Sequence, residues 1–214
     1  MKIKKSVKRI LIIALVILLV AFLAYGGYTV YKKYKASKGV KTTEIVDKID
    51  EYGYYLEEDA PKGYKNLFEE LVKVLKKEEV DEEAYAKLVA QMLALDFYNL
   101  DNKMSKNDIG GTQFIMESYR KNFVLEAGET VYKYIEHNVY GNRKQELPVV
   151  TEVKVESVNT NSYKYDNITD DKAYIVKVNI TYEKDLGYPT SITVKLVHTT
   201  MKNEKTKLEV FYMK

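Results

Sequence analysis

Residues 174–182 read YIVKVNITY and carry an apolar or aromatic side chain at every second position. This alternation is typical of a β-strand with one buried face. Three further segments with the same period begin at Val149, Ile192 and Leu208, and turn-forming residues separate the later strands. The sequence therefore predicts a four-stranded antiparallel sheet, with one apolar face, over residues 148–214. The predicted inward positions are Val149, Val153, Val155, Tyr174, Val176, Val178, Ile180, Tyr182, Ile192, Val194, Leu196, Leu208, Val210 and Tyr212.

The period ahead of this sheet is helical. Apolar residues at helical spacing predict three amphipathic helices, the first capped by Thr42 or Thr43 and running to Leu56, the second beginning at Pro61 and the third at Asp81. Residues 99–112 read as a loop, followed by a short helix or strand, a helix over about 129–137 and a connector over 138–148. Helices followed by a one-faced sheet indicate an α+β domain, helical over 43–138, whose helices cover the sheet.

The N-terminal region predicts a membrane anchor. Residues 10–31 contain no charged side chain, and a helix of 22 residues spans about 33 Å, enough for a hydrocarbon core of about 30 Å. Basic residues flank the stretch, and tyrosines suited to the headgroup layer crowd its far end. The predicted segments are a tail (1–9), a transmembrane helix (10–31), a basic linker (32–42) and the domain (43–214). The predicted membrane-interface residues are Lys4, Lys5, Lys8, Arg9, Tyr28, Tyr31, Lys32 and Lys33.

The alternative to an anchor is a cleaved signal peptide, for which Ala24 and Gly26 would form the cleavage site. The apolar stretch continues to Tyr31, longer than the apolar region of about 7 to 15 residues in such a peptide, which favours the anchor. Lysine and arginine are balanced on its two sides. A short basic tail before an apolar helix resembles the start of an export signal, so we predict a cytoplasmic N-terminus and an extracytoplasmic domain.

Composition excludes several classes of activity. The chain has no cysteine, which excludes disulfides, thiolate nucleophiles and cysteine metal ligands. Its net charge of +3 is exceeded by the basic residues that flank the apolar segment, so the domain itself is acidic. An acidic domain is poorly suited to phosphate contacts, and no nucleic-acid partner is predicted. The predicted partners are the lipid bilayer and an envelope protein.

The order of elements over residues 43–214 resembles the NTF2-like superfamily, including its membrane-anchored, VirB8-like members. The segments DFYNL (96–100), SKNDIGG (105–111) and RKQELP (143–148) also resemble uncharacterised anchored proteins of low-GC Gram-positive bacteria. The NTF2-like (cystatin-like) resemblance implies that the helices fill the concave side of a curved sheet. Such a cone holds a small ligand, serves as an active site, or is plugged while the outer face binds partners. This chain departs from the pattern in having three predicted helices and no early strand.

Few residues qualify as chemical groups of a site. His137 is expected at a helix end, where it would complement the terminal carbonyls. His198 is in phase with the apolar residues of its strand, so it is the pocket candidate at the mouth of the concave face. The polar residues of the loop match no calcium-binding spacing and are assigned to turns instead; they are Asn99, Asp101, Asn107 and Asp108. No catalytic residue, metal ligand or cofactor site is predicted.

These observations predict a non-catalytic, membrane-anchored protein whose extracytoplasmic domain is a scaffold for protein interactions. The first alternative is a small-ligand pocket, or an enzyme, in the concave face. The second, implied by the VirB8-like resemblance, is a component of a secretion or conjugation complex.

Overall fold

The computed structural model describes residues 15–29, 44–203 and 205–214, and within them the chain is a mixed α+β protein with four helices and a four-stranded antiparallel sheet. The first helix, α1, covers residues 15–29. The elements that follow are β1 (Ile45–Ile49), β2 (Tyr54–Glu57), α2 (Lys62–Leu75), α3 (Glu82–Tyr98), α4 (Glu117–Glu129), β3 (Val150–Tyr165), β4 (Ile168–Tyr182), β5 (Ser191–Thr200) and β6 (Thr206–Met213).

The predicted sheet is confirmed. Its strands are hydrogen-bonded in the order β3-β4-β5-β6, each antiparallel to the next. Val176 lies opposite Val194, and Leu196 lies opposite Val210, so these predicted positions share one face. The prediction of Tyr212 as an inward position was wrong, because a bulge at Lys195 and Leu196 shifts the register and places Tyr212 opposite Lys195, where it is 41% exposed. In the first half of β3 the buried positions are Val150 and Val153. The prediction of Val149 as an inward position was wrong, because a bulge after Val150 shifts the alternation.

Helix α3 fills the apolar face of the sheet. Most of its side chains are buried, and small alanines let its backbone approach the strands. Met92 and Leu93 are fully buried in the same cluster as Val178 and Leu196. Since apolar side chains fill the space between α3 and the centre of the sheet, the structure argues against a ligand cavity there.

The predicted second and third helices, α2 and α3, are confirmed together with their start signals. Pro61 precedes the first turn of α2, where its fixed φ is compatible with a helix start. The carboxylate of Asp81 accepts a hydrogen bond from the amide of Ala84 at 3.0 Å and so caps α3. Helix α2 packs on α3 through Phe68 and Leu71, both fully buried.

The prediction of a helix up to Leu56 was wrong. Residues 45–57 form an antiparallel hairpin, β1–β2, closed by a turn in which Gly53 has a φ of +68°. A left-handed residue at this point ends a helix and suits a turn. Tyr54 and Leu56 are both buried, two residues apart, as the period of a strand requires. Residues 43–138 are therefore not wholly helical.

The helix predicted over about 129–137 was also wrong, because the helix of this region is α4, which ends at Glu129. The hydroxyl of Thr130 donates to the carbonyl of Glu126 at 2.6 Å, and the backbone leaves the helix there. Tyr132 then turns inward, and its buried hydroxyl donates to the carbonyl of Phe97 at 2.6 Å. His137 is exposed and lies outside a helix, so its expected role at a helix end is also wrong.

The β3–β4 hairpin extends past the end of its pairing with β5, and its tip lies on the outer face of the sheet. There Tyr165 is buried with Ala173, Val197 and Met116 in a second small apolar cluster. The hydroxyl of Tyr165 donates to the carbonyl of His198 at 2.7 Å. The tip is therefore fastened to β5 by a side chain as well as by packing.

The large apolar side chains of α1 are exposed, from Leu15 to Leu23 and at Tyr25 and Tyr28. Residues 10–14 and 30–31 of the predicted transmembrane helix lie outside the described residues, as do the tail 1–9 and the linker 32–42. Among the residues described, no helix combines the length and the apolar character needed to cross a bilayer.

Candidate functional site

A groove of about 490 Å³ opens between α4 and the C-terminal half of β6. One wall is α4, the floor is the end of α3, and the other wall is the outer edge of β6. The lining includes six aromatic residues, and Glu126 and Lys214 are its two charged residues. The aromatic residues of the lining are Phe97, Tyr98, Tyr119, Phe123, Phe211 and Tyr212. A neutral, aromatic concavity of this kind suits the apolar part of another molecule.

The groove exists because α4 is loosely packed. Of its thirteen residues only Ala127 is buried, while Val124 and Leu125 are exposed. Phe123 makes the main ring contact with the body of the domain, its centroid 5.3 Å from that of Phe97. A helix whose apolar residues do not form one continuous buried stripe cannot close against a sheet. The space that it leaves open is the groove.

The N-terminus of α4 is fastened to β6 just before the groove begins. Ile115 forms a parallel bridge with Val210, and the amide of Met116 donates to the carbonyl of Val210 at 2.9 Å. The guanidinium of Arg120 donates back to the carbonyl of Ile115 at 3.1 Å. These contacts hold one end of the helix at the sheet edge.

Earlier along β6, the same edge is covered by two tyrosines. The hydroxyl of Tyr54 lies 2.6 Å from that of Tyr85 and donates to the carbonyl of Leu208 at 3.2 Å. The Tyr85 hydroxyl accepts the amide of Leu208 at 3.3 Å. Burial raises the pKa of both phenols well above the ordinary value, so they remain neutral hydrogen-bonding groups. The first half of the β6 edge is therefore satisfied from within the chain.

His198 lies at the rim of a second cavity, of about 260 Å³, which Tyr52, Tyr85 and Lys205 also line. Its Nδ1 is 2.8 Å from a carboxylate oxygen of Asp170, and that oxygen also accepts the backbone amide of His198 at 2.7 Å. Its Nε2 is 3.4 Å from a carboxylate oxygen of Glu82. With partners on both nitrogens, the imidazole joins the tip of the β3–β4 hairpin to β5 and to the start of α3.

The pKa of Asp170 shows which contacts dominate there. Burial alone would raise the pKa of this carboxyl, but hydrogen bonds from the amides of His198 and Lys172 and from the His198 ring outweigh it, and the pKa is lowered. The group is therefore an anion that holds a backbone turn and a ring together. Such an arrangement is a structural latch between the hairpin tip and β5.

Lys207 is a buried charge that sequence reasoning missed. Its Nζ is 3.6 Å from a carboxylate oxygen of Glu209 and 4.5 Å from the centre of the Tyr54 ring. Burial lowers the pKa of this lysine, and the nearby guanidinium of Arg120 adds to that effect, while Glu209 opposes it. An alternating strand pattern does not reveal such a burial, because the cover comes from β2 and α4, distant in sequence.

The remaining predicted site residues divide into two groups. Of the membrane-interface residues, Tyr28 is described and is exposed on α1. The others, which are Lys4, Lys5, Lys8, Arg9, Tyr31, Lys32 and Lys33, lie outside the described residues. Among the described side chains, no three or more acidic or histidine groups converge to hold a metal ion.

The polar loop 99–112 is structural, as predicted for Asp108, whose carboxylate accepts the amide of Met104 at 2.8 Å. Asn99 uses its side-chain oxygen to accept the amide of Val150 at 2.9 Å, which ties the end of α3 to the start of the sheet. Arg143 donates to the carbonyls of Asp101 and Lys103, at 2.5 and 2.7 Å. Of the three resembling segments, 96–100 and 105–111 are joined directly, because the carboxylate of Asp96 accepts the amide of Gly111 at 2.6 Å, and 143–148 reaches the residues between them through Arg143.

Comparison of the chain with protein-family models, curated proteins and solved structures found no match.

Proposed function

We propose that this chain is a membrane-anchored, non-catalytic protein whose domain binds a segment of a partner protein in the groove between α4 and β6. The groove carries the proposal. It is open, its lining includes six aromatic residues, and its charged residues are Glu126 and Lys214. Aromatic residues are enriched at the cores of protein interfaces, and tyrosine is among the residues that most often supply the binding energy there.

The composition of the groove supports a protein partner over a substrate. Catalysis needs titratable groups that converge on a reacting atom, and the groove places Glu126 and Lys214 on different walls. His198, the histidine that the sequence suggested for a pocket, lies at the rim of the other cavity, where its Nδ1 is 2.8 Å from Asp170 and its Nε2 is 3.4 Å from Glu82. Burial of apolar surface against aromatic rings is the interaction that this groove offers.

The anchor and the orientation belong to the same proposal: residues 10–31 span the membrane, 1–9 are cytoplasmic and the domain is extracytoplasmic. The exposed apolar surface of α1 supports contact with lipid, since a soluble environment disfavours so continuous a patch. The cone-like, NTF2-like architecture is part of the proposal too. It is supported by the arrangement in which α3 fills one face of the sheet and the hairpin tip covers part of the other.

The orientation is tested by protease treatment of intact cells that carry a C-terminal tag on the chain. The proposal expects loss of the tag without lysis. Protection of the tag until the cells are lysed would place the domain in the cytoplasm and would rule out an envelope partner.

The groove is tested by incorporating a photo-crosslinking amino acid at Asn122, which lines it, in living cells. The matched control is Lys121, which is exposed on the opposite face of the same helix and does not line the groove. A discrete adduct at Asn122 that is missing at Lys121 is the expected result. Equal adducts at both positions, or none at Asn122, would contradict binding in the groove.

A further inference from the structure

The backbone groups on the outer edge of β6 have hydrogen-bond partners before the groove and, in the part of the chain that the structure describes, lack a partner strand at the groove. Before the groove, the backbone groups of Leu208 bond to the hydroxyls of Tyr54 and Tyr85, and the carbonyl of Val210 accepts the amide of Met116. At the groove, the described residues supply no strand to that edge, because β6 is the last strand of the sheet. The edge is therefore covered over its first half and open over its second.

The register identifies the open backbone groups. The amide of Lys214 donates to the carbonyl of Thr193 at 3.0 Å, and the amide of Thr193 donates to the carbonyl of Lys214 at 2.7 Å. In an antiparallel pair, hydrogen-bonded residue pairs alternate with pairs whose backbone groups point away from each other. The next pair, Val194 and Met213, is of the second kind. The N–H and C=O of Met213 therefore point away from β5, to the side on which the groove lies.

Exposed edge groups of this kind are a template for an added strand. We infer that the groove binds its partner as an extended segment, which adds to the sheet as a fifth strand hydrogen-bonded to Met213. This inference rests on the proposed function and specifies the backbone conformation of the segment that the groove accepts. Ile115 and Met116 already lie along this edge and contact Val210, so the incoming segment would pair with the part of the edge that follows them.

The walls of the groove define the chemistry of that segment. Along a strand, alternate side chains point to opposite faces, so one set would meet the aromatic rings of α4 and α3. A charge placed there would be removed from water next to Tyr119 and Phe123, with Glu126 and Lys214 as the charged groups of the lining. The partner segment is therefore apolar at alternate positions and uncharged where it faces α4.

The test uses the full chain in mild detergent and peptides of twelve residues selected against it from a displayed random library. A synthetic copy of an enriched peptide is the probe, and fluorescence anisotropy measures its affinity for the native chain and for the variants Met213→Pro, Met213→Ala and Phe123→Ala. Met213→Pro removes the outward N–H and leaves the ladder to β5 intact, because that N–H is not part of it. Met213→Ala is the matched control, since it shortens the side chain and keeps the N–H.

Strand addition predicts that Met213→Pro lowers the affinity for the probe about tenfold or more. The affinity of Met213→Ala should stay within about threefold of that of the native chain. A second measurement does not depend on the proline variant. N-methylation of the probe at single residues should weaken binding at the one position whose amide bonds to the open carbonyl of Met213, and N-methylation of the two neighbouring amides should be tolerated.

The other outcomes overturn the inference in distinguishable ways. If the probe loses affinity on Phe123→Ala but binds Met213→Pro as well as the native chain, strand addition fails and the groove remains a protein-binding site. If no enriched peptide depends on either residue, the inference and the proposed function both fail. A dimer in sedimentation that is lost in Met213→Pro would assign the edge to a second copy of the chain in place of a partner.

Discussion

The two packing surfaces of the sheet contrast with each other. On the face of the sheet that α3 covers, side chains such as Leu93, Val194 and Leu196 are completely buried. At the edge, α4 buries one residue and leaves a groove beside β6. The sheet face under α3 is therefore fully packed, whereas the edge of β6 beside α4 is only partly packed. The difference indicates that the packing of α3 supplies most of the free energy of folding and that the edge beside α4 leaves surface open.

The largest effect on the free energy of unfolding is expected from a change on the sheet face that α3 covers. Leu196→Ala should lower the free energy of unfolding by about 2–5 kcal/mol, because it removes buried methyl groups and leaves a cavity between β5 and α3. Leu125→Ala on α4, where the side chain is 59% exposed, should change it by less than about 0.5 kcal/mol. Urea denaturation of both variants checks the contrast. Similar losses in the two would mean that α4 also holds the fold.

Two glycines, one in the loop beside α3 and one in α4, allow a second comparison of the tightly packed and the loosely packed region. A Cβ on Gly110 would lie 2.6 Å from the carbonyl carbon of Asp96, and the backbone of α3 cannot yield to it. Gly110→Ala should therefore cost about 1–3 kcal/mol in the free energy of unfolding. Gly128 lies near the end of α4 with open space around it, so Gly128→Ala should stabilise the helix by up to about 1 kcal/mol. Thermal unfolding would show the opposite signs, and a loss in both variants would contradict the open packing of α4.

The tightly packed region is the part that sequence patterns predicted well. Alternation identified the strands, and helical spacing with Pro61 and Asp81 identified α2 and α3, because burial on one face imposes a period on the sequence. Residues 45–56 were misjudged since Ile45, Ile49, Tyr52 and Leu56 also fit a helical period. The turn at Gly53 and the contact of Tyr54 with Tyr85 decide the hairpin, and that contact joins residues 31 apart.

The groove could not be predicted in the same way. Its walls are formed by Phe123 on α4 and Phe211 on β6, which no local pattern relates. Helix α4 buries too little to leave a periodic apolar face, so the sequence predicted this region only as a short helix or strand. His198 was a better candidate from sequence, because a histidine in phase with a buried strand face is visible in the pattern. Its engagement by Asp170 and Glu82 depends on the long β3–β4 hairpin, whose extent the pattern did not show.

The latch at His198 gives a prediction that depends on pH. The folded pKa of Asp170 is lowered, so the carboxylate stabilises the fold above the ordinary aspartate pKa of about 3.9 and loses that contribution as the pH falls through the folded value. At pH 7, Asp170→Asn should cost about 1.5–3 kcal/mol, as for hydrogen bonds to a charged group. The cost should shrink in acid solution, which urea denaturation at pH 7 and below pH 4 would reveal.

Asp171→Asn is the control for that experiment, because Asp171 is the next residue and is exposed. Its effect should stay below about 0.5 kcal/mol at every pH. A cost for Asp170→Asn that does not change with pH would mean that the shape of the side chain, and not its charge, holds the hairpin tip.

The smallest effect is a difference in hydrogen-exchange rate between single amides of the native chain, measured along β6. Thr193, Lys214 and Met116 each donate their amide to a backbone carbonyl, whereas the amide of Met213 faces the groove. Exchange of the Met213 amide should therefore approach the rate of an unstructured peptide, and exchange of the Thr193 and Met116 amides should be slower. Nuclear magnetic resonance resolves these amides singly. Protection of Met213 in the isolated, monomeric chain would show that the edge is already covered, in which case the groove could not accept a strand. Fast exchange at Met213 together with slow exchange at Met116 would show that the edge of β6 is covered at Val210 and open at Met213. The change from covered to open edge would then lie within the three residues that follow Val210.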